Sequence, residues 1–510
     1  MGEPSTSPVS NCQPPVAILG IPFDNITQAQ ALLRIETMIG SRKPHYLVTA
    51  NVDFLVQARV DVELRRILCE ADLVLCDGTP VLWVSRALGN PLAERVAGSD
   101  LVPFLLRAAE EKHWRVFFLG ASPEACASAV ARLQARHPQL VIAGHFSPKF
   151  APLLDLDHAA ICQTVRAAKP DLLFVSFGCP KQEKWIAMHY RTLGVPVTVG
   201  VGATIDFLAG KVRRAPPWMR RSGTEWLFRL AQEPRRLFSR YFKGFWLFGC
   251  AAGRQWWRLG RHRLLTPRWR GRKGRDRYPR YENAAGTDAL DYSIMETPVR
   301  LDAASPGDWV NPVVGPSGVK QAMMVDLSST TFIDSTGVGC LIGLRKRVLA
   351  SGSQLILVGA RPQVVRALKL LRVDELFAVA RDFDEARRWL QNWQTNSRSG
   401  VASVTGQHHT VAWHGEITSA GADAFWLATS AAFRDCPGPG NDWIVDLTQV
   451  RFIDSTGLGL MLKLRKFAHS HGARLRFDHV QPAVRNVIKL AHLEELLLRP
   501  AGEDRVAGVN

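Results

Sequence analysis

The stretch LLFVSFGCPKQEKWIAMHY (Leu172–Tyr190) decides the fold class. Its opening, Leu172–Ser176, is a short apolar run of the length of one buried strand. Gly178 and Pro180 interrupt the run, and the amphipathic segment Lys181–Tyr190 that follows reads as a helix. The same order of strand, small-residue turn and helix recurs on both sides. Strands are expected at Val16–Ile18, Tyr46–Thr49, Leu73–Cys76, Val116–Leu119, Val141–Ala143 and Val197–Val201, with helical patterns between them such as Pro123–Ala135. This alternation predicts a doubly wound, mostly parallel α/β sheet from Pro15 to about Arg240.

In open parallel sheets ligands bind beyond the carboxyl ends of the strands, so the residues just after each strand carry the chemistry. Those residues are Thr49-Ala50-Asn51-Val52-Asp53, Asp77-Gly78-Thr79, Gly120-Ala121-Ser122, Gly178 to Glu183, and Gly200 with Gly202, Ala203 and Asp206. Small residues there let a ligand approach the backbone, and helix N-termini offer N–H groups to phosphate oxygens. A nucleotide-derived ligand fits. The fingerprints GxGxxG and GxxxxGK[ST] are absent, which argues against an ordinary dinucleotide site and a P-loop. Asp77 is the best-placed base, a carboxylate at a strand end able to accept a proton from an incoming hydroxyl. Spacing leaves a second reading open, in which Asp77 caps the helix that follows. Glu183 is a competing base, but a Lys-Gln-Glu run at a helix start reads more simply as a solvated first turn. Lys211, Arg213 and Arg214 suit either phosphate binding or a solvated face.

Several blocks in one order resemble the WecG/TagA/CpsF glycosyltransferase family. They are Val74–Val81 (VLCDGTPV), Glu94–Asp100 (ERVAGSD), Gly178–Trp185 (GCPKQEKW), Gly200–Gly210 (GVGATIDFLAG), Arg214–Met219 (RAPPWM), Glu225–Leu230 (EWLFRL) and Glu233–Arg236 (EPRR). Together they span about Ile18–Tyr241. The resemblance implies an inverting, metal-independent transfer of a sugar from a UDP-sugar to a polyprenyl-diphosphate-linked sugar, with no cofactor. It implies Asp77 as catalytic base, Thr49 and Asn51 lining the pocket, and Gln182 contacting a donor or acceptor sugar. Arg229 and Arg236, on a C-terminal appendage, would close over the pocket and neutralise the leaving UDP, since cationic side chains must otherwise face its charge alone. A third arginine expected one turn beyond Arg236 falls on Ser239, with Arg240 beside it.

Charge is concentrated in the stretch Arg213–Arg280, which begins inside this region. The chain carries 64 Lys+Arg against 46 Asp+Glu, a formal net charge of +18, and residues 201–280 alone hold 21 basic residues against four acids. The segment Tyr241–Leu259 (YFKGFWLFGCAAGRQWWRL) is aromatic and apolar, and a run of arginines that includes Trp269 follows it to Arg280. Interleaved Trp and Arg suit a nucleic acid or an anionic bilayer. A lipid-linked acceptor favours the bilayer. No apolar run reaches the roughly 18 residues of a spanning helix, so a peripheral protein at the inner face of a bacterial plasma membrane is expected.

The C-terminal half is one module written twice at a constant offset. Val325-Asp326-Leu327 matches Val445-Asp446-Leu447, Phe332–Gly337 (FIDSTG) matches Phe452–Gly457, and Leu344-Arg345-Lys346 matches Leu464-Arg465-Lys466. Two copies indicate paired domains rather than a solenoid. Both resemble STAS domains, the module of anti-sigma-factor antagonists, over about Leu290–Leu390 and Val404–Arg499. The resemblance implies Ser335 and Ser455 as phosphoacceptors, where a phosphate adds up to ~2 negative charges at a docking surface. Helix capping by these serines is the plainer alternative.

The 510-residue chain is long enough for two to four cores. Its nine cysteines show no CxxC or metal-ligand spacing and read as reduced thiols of a cytosolic protein. Met1–Pro15 lacks the basic start and apolar core of a secretory signal. The expected organisation is a short tail (1–15), a transferase domain (16–240), a basic interfacial stretch (241–288) and two small α/β STAS domains (289–395 and 396–510). Expected partners are the UDP-sugar, the lipid-linked acceptor, an anionic membrane, a STAS-binding kinase or regulator and a second copy of the chain. A non-catalytic, nucleotide-sugar-sensing regulator is the rival reading, and nucleic-acid binding a weaker one.

Overall fold

A computed structural model of the chain describes residues 13–211, 215–216, 218–219, 224–232, 234–260, 281–285, 291–302, 322–398, 404–405, 409–419, 421–435 and 442–498. The short apolar runs form strands β1 (Gln13–Ile18), β2 (Ile21–Asn25), β3 (His45–Ala50), β4 (Leu73–Cys76), β5 (Val116–Gly120), β6 (Ile142–Phe146), β7 (Leu172–Ser176) and β8 (Val197–Gly200). Strands β3 to β8 make one six-stranded sheet in the order β4-β3-β8-β7-β5-β6, with every pairing parallel. Between them run helices α1 (Gln28–Ser41), α2 (Val52–Gln57), α3 (Val62–Glu70), α4 (Thr79–Ala87), α5 (Gly98–Glu111), α6 (Pro123–Arg136), α7 (His158–Ala168), α8 (Lys181–His189) and α9 (Thr204–Ala209).

Burial on both faces explains why β7 is apolar throughout. Leu172 and Phe174 enter a core with Leu47, Leu75 and Phe118, while Leu173 and Val175 enter the opposite core with Val48, Phe117 and Trp185. Successive side chains of a strand point to opposite faces, so a sheet covered on both sides needs unbroken apolar runs. The doubly wound fold expected from the sequence is therefore present. The segment Val16–Ile18 departs from it: β1 pairs only with β2, as an antiparallel hairpin outside the main sheet.

The appendage continues past the expected domain end at Arg240. Helix Glu225–Gln232 leads into helix Pro234–Gln255, then a π turn over Trp256–Gly260, so the segment beginning at Tyr241 is part of one continuous helix. Its two faces differ. Phe248, Ala251, Ala252, Gln255 and Leu259 are buried, whereas Phe238, Phe242 and Trp246, four residues apart, are each more than 60% exposed. Residues four apart share one helix face. Arg261 to Arg280 lie outside the described residues.

The two copies fold alike. In each, a mainly parallel sheet carries one antiparallel edge strand. The helices after the Asp-Ser-Thr-Gly loops, Ser335–Ala350 and Ser455–Ser470, correspond residue for residue. The first copy shares a hydrophobic core with the transferase: Ile333, Val338 and Leu341 pack in one cluster with Val16, Ile18 and Ile21. The second keeps a core of its own, built around Trp413, Trp443 and Met461.

The hairpin turn makes that shared core possible. Leu19 and Gly20 take φ of 49° and 88°, the pair of positive values that a two-residue turn between twisted strands requires. A Cβ on Gly20 would stand 2.2 Å from the carbonyl oxygen of Leu371 in the first STAS domain. Gly20→Ala is therefore expected to lose on the order of 2 kcal/mol or more, combining backbone strain with overpacking. Denaturant unfolding should show the loss in the transferase and first STAS domain together, with the second STAS domain unaffected.

Candidate active site

The parallel order β4-β3-β8-β7 sets four strand ends side by side, each ~4.8 Å from the next. Thr49 and Asn51, Asp77, Gly178 and Gly202 consequently share one edge of the sheet. Registers pair Thr49 with Leu75 and Ala50 with Cys76, which puts Asp77 one step beyond Ala50 on the neighbouring strand. The Asp77 N–H donates to Ala50 O at 2.9 Å, fixing that step.

Asp77 is not the helix cap. Gly78 occupies the N-cap position of α4 with no side-chain cap bond. Asn51 is a cap, its Oδ1 accepting from Asp53 N at 2.9 Å and Phe54 N at 3.4 Å. A Cβ on Gly78 would lie 3.7 Å from Asn51 Cβ, so the two loop starts touch. Thr49 is buried beneath them, and its Oγ1 would meet a Cβ on Gly98 at 2.9 Å. The segment before α5 completes this side: Val96 N–H donates to Cys76 O at 2.9 Å. The neighbouring Arg95 pairs with Asp100 at 3.1 Å and with Glu225 of the appendage at 3.4 Å. Arg95 and Glu225 thus moor the appendage beside Asp77, a role that no spacing in the sequence announced, although both lie in family-like blocks.

Gln182 faces inward. It is 2% exposed; its Oε1 accepts from Gly178 N and Gly202 N, both at 3.1 Å, and its Nε2 donates to Glu183 Oε1 at 2.7 Å. The amide staples two glycine loops of the edge, where the resemblance had suggested a sugar contact. Glu183 corrects the solvated-turn reading. It is 1% exposed, and burial pushes its carboxyl up to about 7, with Asp53 adding to the effect. Polarity and helix position alone gave no sign of this, because part of its cover comes from Gly200 at the end of β8, far away in the sequence.

Arg229 and Arg236 sit on the two appendage helices, and their side chains lie outside the described residues, as do those of Ser239 and Arg240. Arg213 and Arg214 also fall outside. Lys211 is exposed and donates to Ser122 Oγ at 3.0 Å. Ser335 and Ser455 lie far from this edge in the chain and are 2% and 4% exposed. Neither is a cap: Asp334 Oδ1 accepts from Thr336 N and Gly337 N, and Asp454 Oδ1 from Gly457 N. None of the seven described cysteines is in a disulfide. No helix among the described residues is long and apolar enough to cross a membrane.

Comparison with known proteins agrees with this layout. The model of the glycosyl transferase WecG/TagA/CpsF family matches residues 16–262. A STAS domain model matches 287–386, and a second, described as Mlab, STAS domain, matches 402–499. Proteins of Staphylococcus aureus strains MW2, NCTC 8325 / PS 47 and MRSA252 are each 33% identical over 224 residues, 44% of this chain and 86% of the relative. Each is named N-acetylglucosaminyldiphosphoundecaprenol N-acetyl-beta-D-mannosaminyltransferase.

Glu183 gives this edge a pH signature. With its folded value near 7 and an ordinary value of 4.5, the folded state holds the proton more tightly. Its contribution to stability is then full below about pH 4.5 and falls as pH rises through 7, by on the order of 3 kcal/mol at most. Glu183→Gln should match the parent near pH 5 and exceed it near pH 8 in denaturant unfolding. A constant difference across that range would show that the carboxyl does not titrate in the folded chain.

Proposed function

Because the chain belongs to the WecG/TagA/CpsF glycosyltransferase family and carries two STAS domains, we propose that it moves a sugar from a UDP-sugar to a polyprenyl-diphosphate-linked sugar. An N-acetylhexosamine such as N-acetylmannosamine is the donor sugar this reading favours, by analogy with the named relatives. The observation that carries it is the place of Asp77, a carboxylate at the shared strand edge that leaves the cap position of α4 to Gly78, with Asn51 against Gly78 and Val96, next to Arg95, bonded to Cys76.

In the proposed step the acceptor hydroxyl attacks the anomeric carbon from the face opposite the diphosphate. A C–O bond forms, the bond to UDP breaks, and the hydroxyl proton passes to Asp77, so configuration inverts. Thr49 and Asn51 border the acceptor side, and Gln182 acts through the glycine loops it staples. Arg229 and Arg236 neutralise the charge growing on the leaving diphosphate. The Arg95–Glu225 mooring is what brings their helices to the site.

The appendage also faces the membrane in this reading. Phe238, Phe242 and Trp246 form an exposed aromatic stripe on a helix whose other face is buried, and the arginines up to Arg280 follow it in the chain. Aromatic residues sit in the bilayer interface and basic residues meet anionic head groups. The STAS pair is the regulatory half, and Ser335 and Ser455 become phosphoacceptors only once their loops are uncovered.

Asp77→Asn is expected to lower transfer by about 10²-fold or more, the range for a lost general base, while UDP binding by calorimetry stays within a few-fold. Near-parental turnover would remove Asp77 as the base. Phe242→Ser with Trp246→Ser should weaken sedimentation with phosphatidylglycerol vesicles by about tenfold or more, from the apolar area no longer buried. Unchanged partitioning would show that this face does not enter the interface.

A further inference from the structure

The two Asp-Ser-Thr-Gly loops of the duplicated half both press on the transferase, but they do so with different chemistry. The first is met by uncharged amides within the shared core. Asp334 Oδ2 accepts from Asn90 Nδ2 at 3.2 Å, and Ser335 Oγ accepts from Gln255 Nε2 at 2.9 Å. Asn90 and Gln255 are themselves buried.

The second loop meets charge. The Ser455 N–H donates to Glu63 Oε1, and Glu63 and Asp61 both pair with Lys184 at 2.8 Å. Arg66 pairs with Glu416 and lies 4.3 Å over the ring of Phe452. Ser419 Oγ donates to Ala187 O at 3.3 Å. Every transferase residue in this set lies on α3 or α8, or caps α3.

We propose that the second STAS domain is a reversible clamp, and that the face formed by α3 and α8 is its binding site, with the carboxylate of Glu63 seated on the N-terminus of helix Ser455–Ser470 as the central contact. The inference goes beyond the transfer reaction and holds whether or not Asp77 is the base.

Three observations separate this contact from the permanent one. The second domain closes a core of its own, so it stays folded when it leaves, whereas the first would expose apolar residues of a joint core. Its polar contact is made of charged groups, a hydroxyl and an N-terminal N–H, which water can take over on release, with Leu154 of the transferase packed against its core. Two carboxylates, Glu63 and Asp454, meet at the loop, and burial together with the Glu63 charge pushes Asp454 up to about 7. That leaves no room for a further negative charge at Ser455. An outside protein that competes for the loop must present what α3 presents, a helix bearing a carboxylate at its first turn.

The test uses the full chain and two variants placed on opposite sides of the contact. Ser455→Glu adds a charge beside Glu63, and Glu63→Ala removes the carboxylate while Lys184 keeps Asp61. In both, amide hydrogen exchange in residues 62–70 and 181–189 should accelerate by about tenfold or more, as for a locally opened unit. Small-angle scattering should show a larger radius at every concentration. Exchange in residues 172–176 and 335–350 should stay slow, and Glu63→Ala should leave 455–470 protected because the altered residue is outside that domain. Unchanged exchange in 62–70 and 181–189 in Glu63→Ala overturns the proposal. So does joint loss of protection in 335–350, which would make the STAS pair and transferase one inseparable body.

Discussion

One buried amide holds three parts of this molecule together. Gln255, at the end of the long appendage helix, accepts from Leu19 N at 2.9 Å through Oε1 and donates through Nε2 to Ala17 O and Ser335 Oγ, each at 2.9 Å. To the β1–β2 hairpin it behaves like a short neighbouring strand, filling one donor and one acceptor that would otherwise be buried unpaired. The appendage is thereby pinned at both ends, by Arg95–Glu225 beside Asp77 and by Gln255 against the first STAS domain. The segments bearing Arg229, Arg236 and the exposed aromatic stripe are strung between those pins. The stripe cannot shift far without disturbing one anchor.

The duplicated half shows what tandem copies permit. Both loops keep the same capping aspartate and the same helix start, because those groups satisfy N–H donors that any such helix leaves open. Their outward contacts are free to diverge. The first copy gained amide partners and an apolar seam, which suits a fixed structural role; the second gained Glu63 and Arg66 as neighbours, which suits exchange. Helix α3 carries both attachments: its Glu70 reaches Arg345 of the first copy at 3.4 Å, while Arg66 reaches Glu416 of the second.

The strands and helices of the main sheet were legible because apolar runs and 3.6-residue patterns are local properties, and the helix expected at Lys181–Tyr190 ends one residue earlier. Partnerships were less legible. Val16–Ile18 has the composition of a sheet strand, and nothing within three residues reveals that its partner is the next strand of a hairpin. The break at Arg240 was set where the family-like blocks end, at Glu233–Arg236, and a continuous helix with one wet and one dry face runs on past it. Asp77 and the loop serines invited a capping reading, since Asp and Ser are common caps, yet Gly78, Asp334 and Asp454 hold those positions. Glu183 was hidden for a different reason. Its burial is decided by the walls around α8, and no periodicity on α8 itself records them.

Helix α8 brings these threads to one place. Gln182 and Glu183 at its start are turned into the glycine loops of the candidate site, while within the next turn Lys184 holds Glu63, which takes the Ser455 N–H, and Ala187 O accepts from Ser419 of the second STAS domain. Nine residues make a rod only ~14 Å long, and its side chains are locked at both faces. A close-packed interior passes displacement on rather than absorbing it. Removing Lys184 from its two carboxylates would therefore free the outer face of the same turn whose inner face holds Gly178 and Gly202. The site edge and the clamp share a helix too short to treat them as independent.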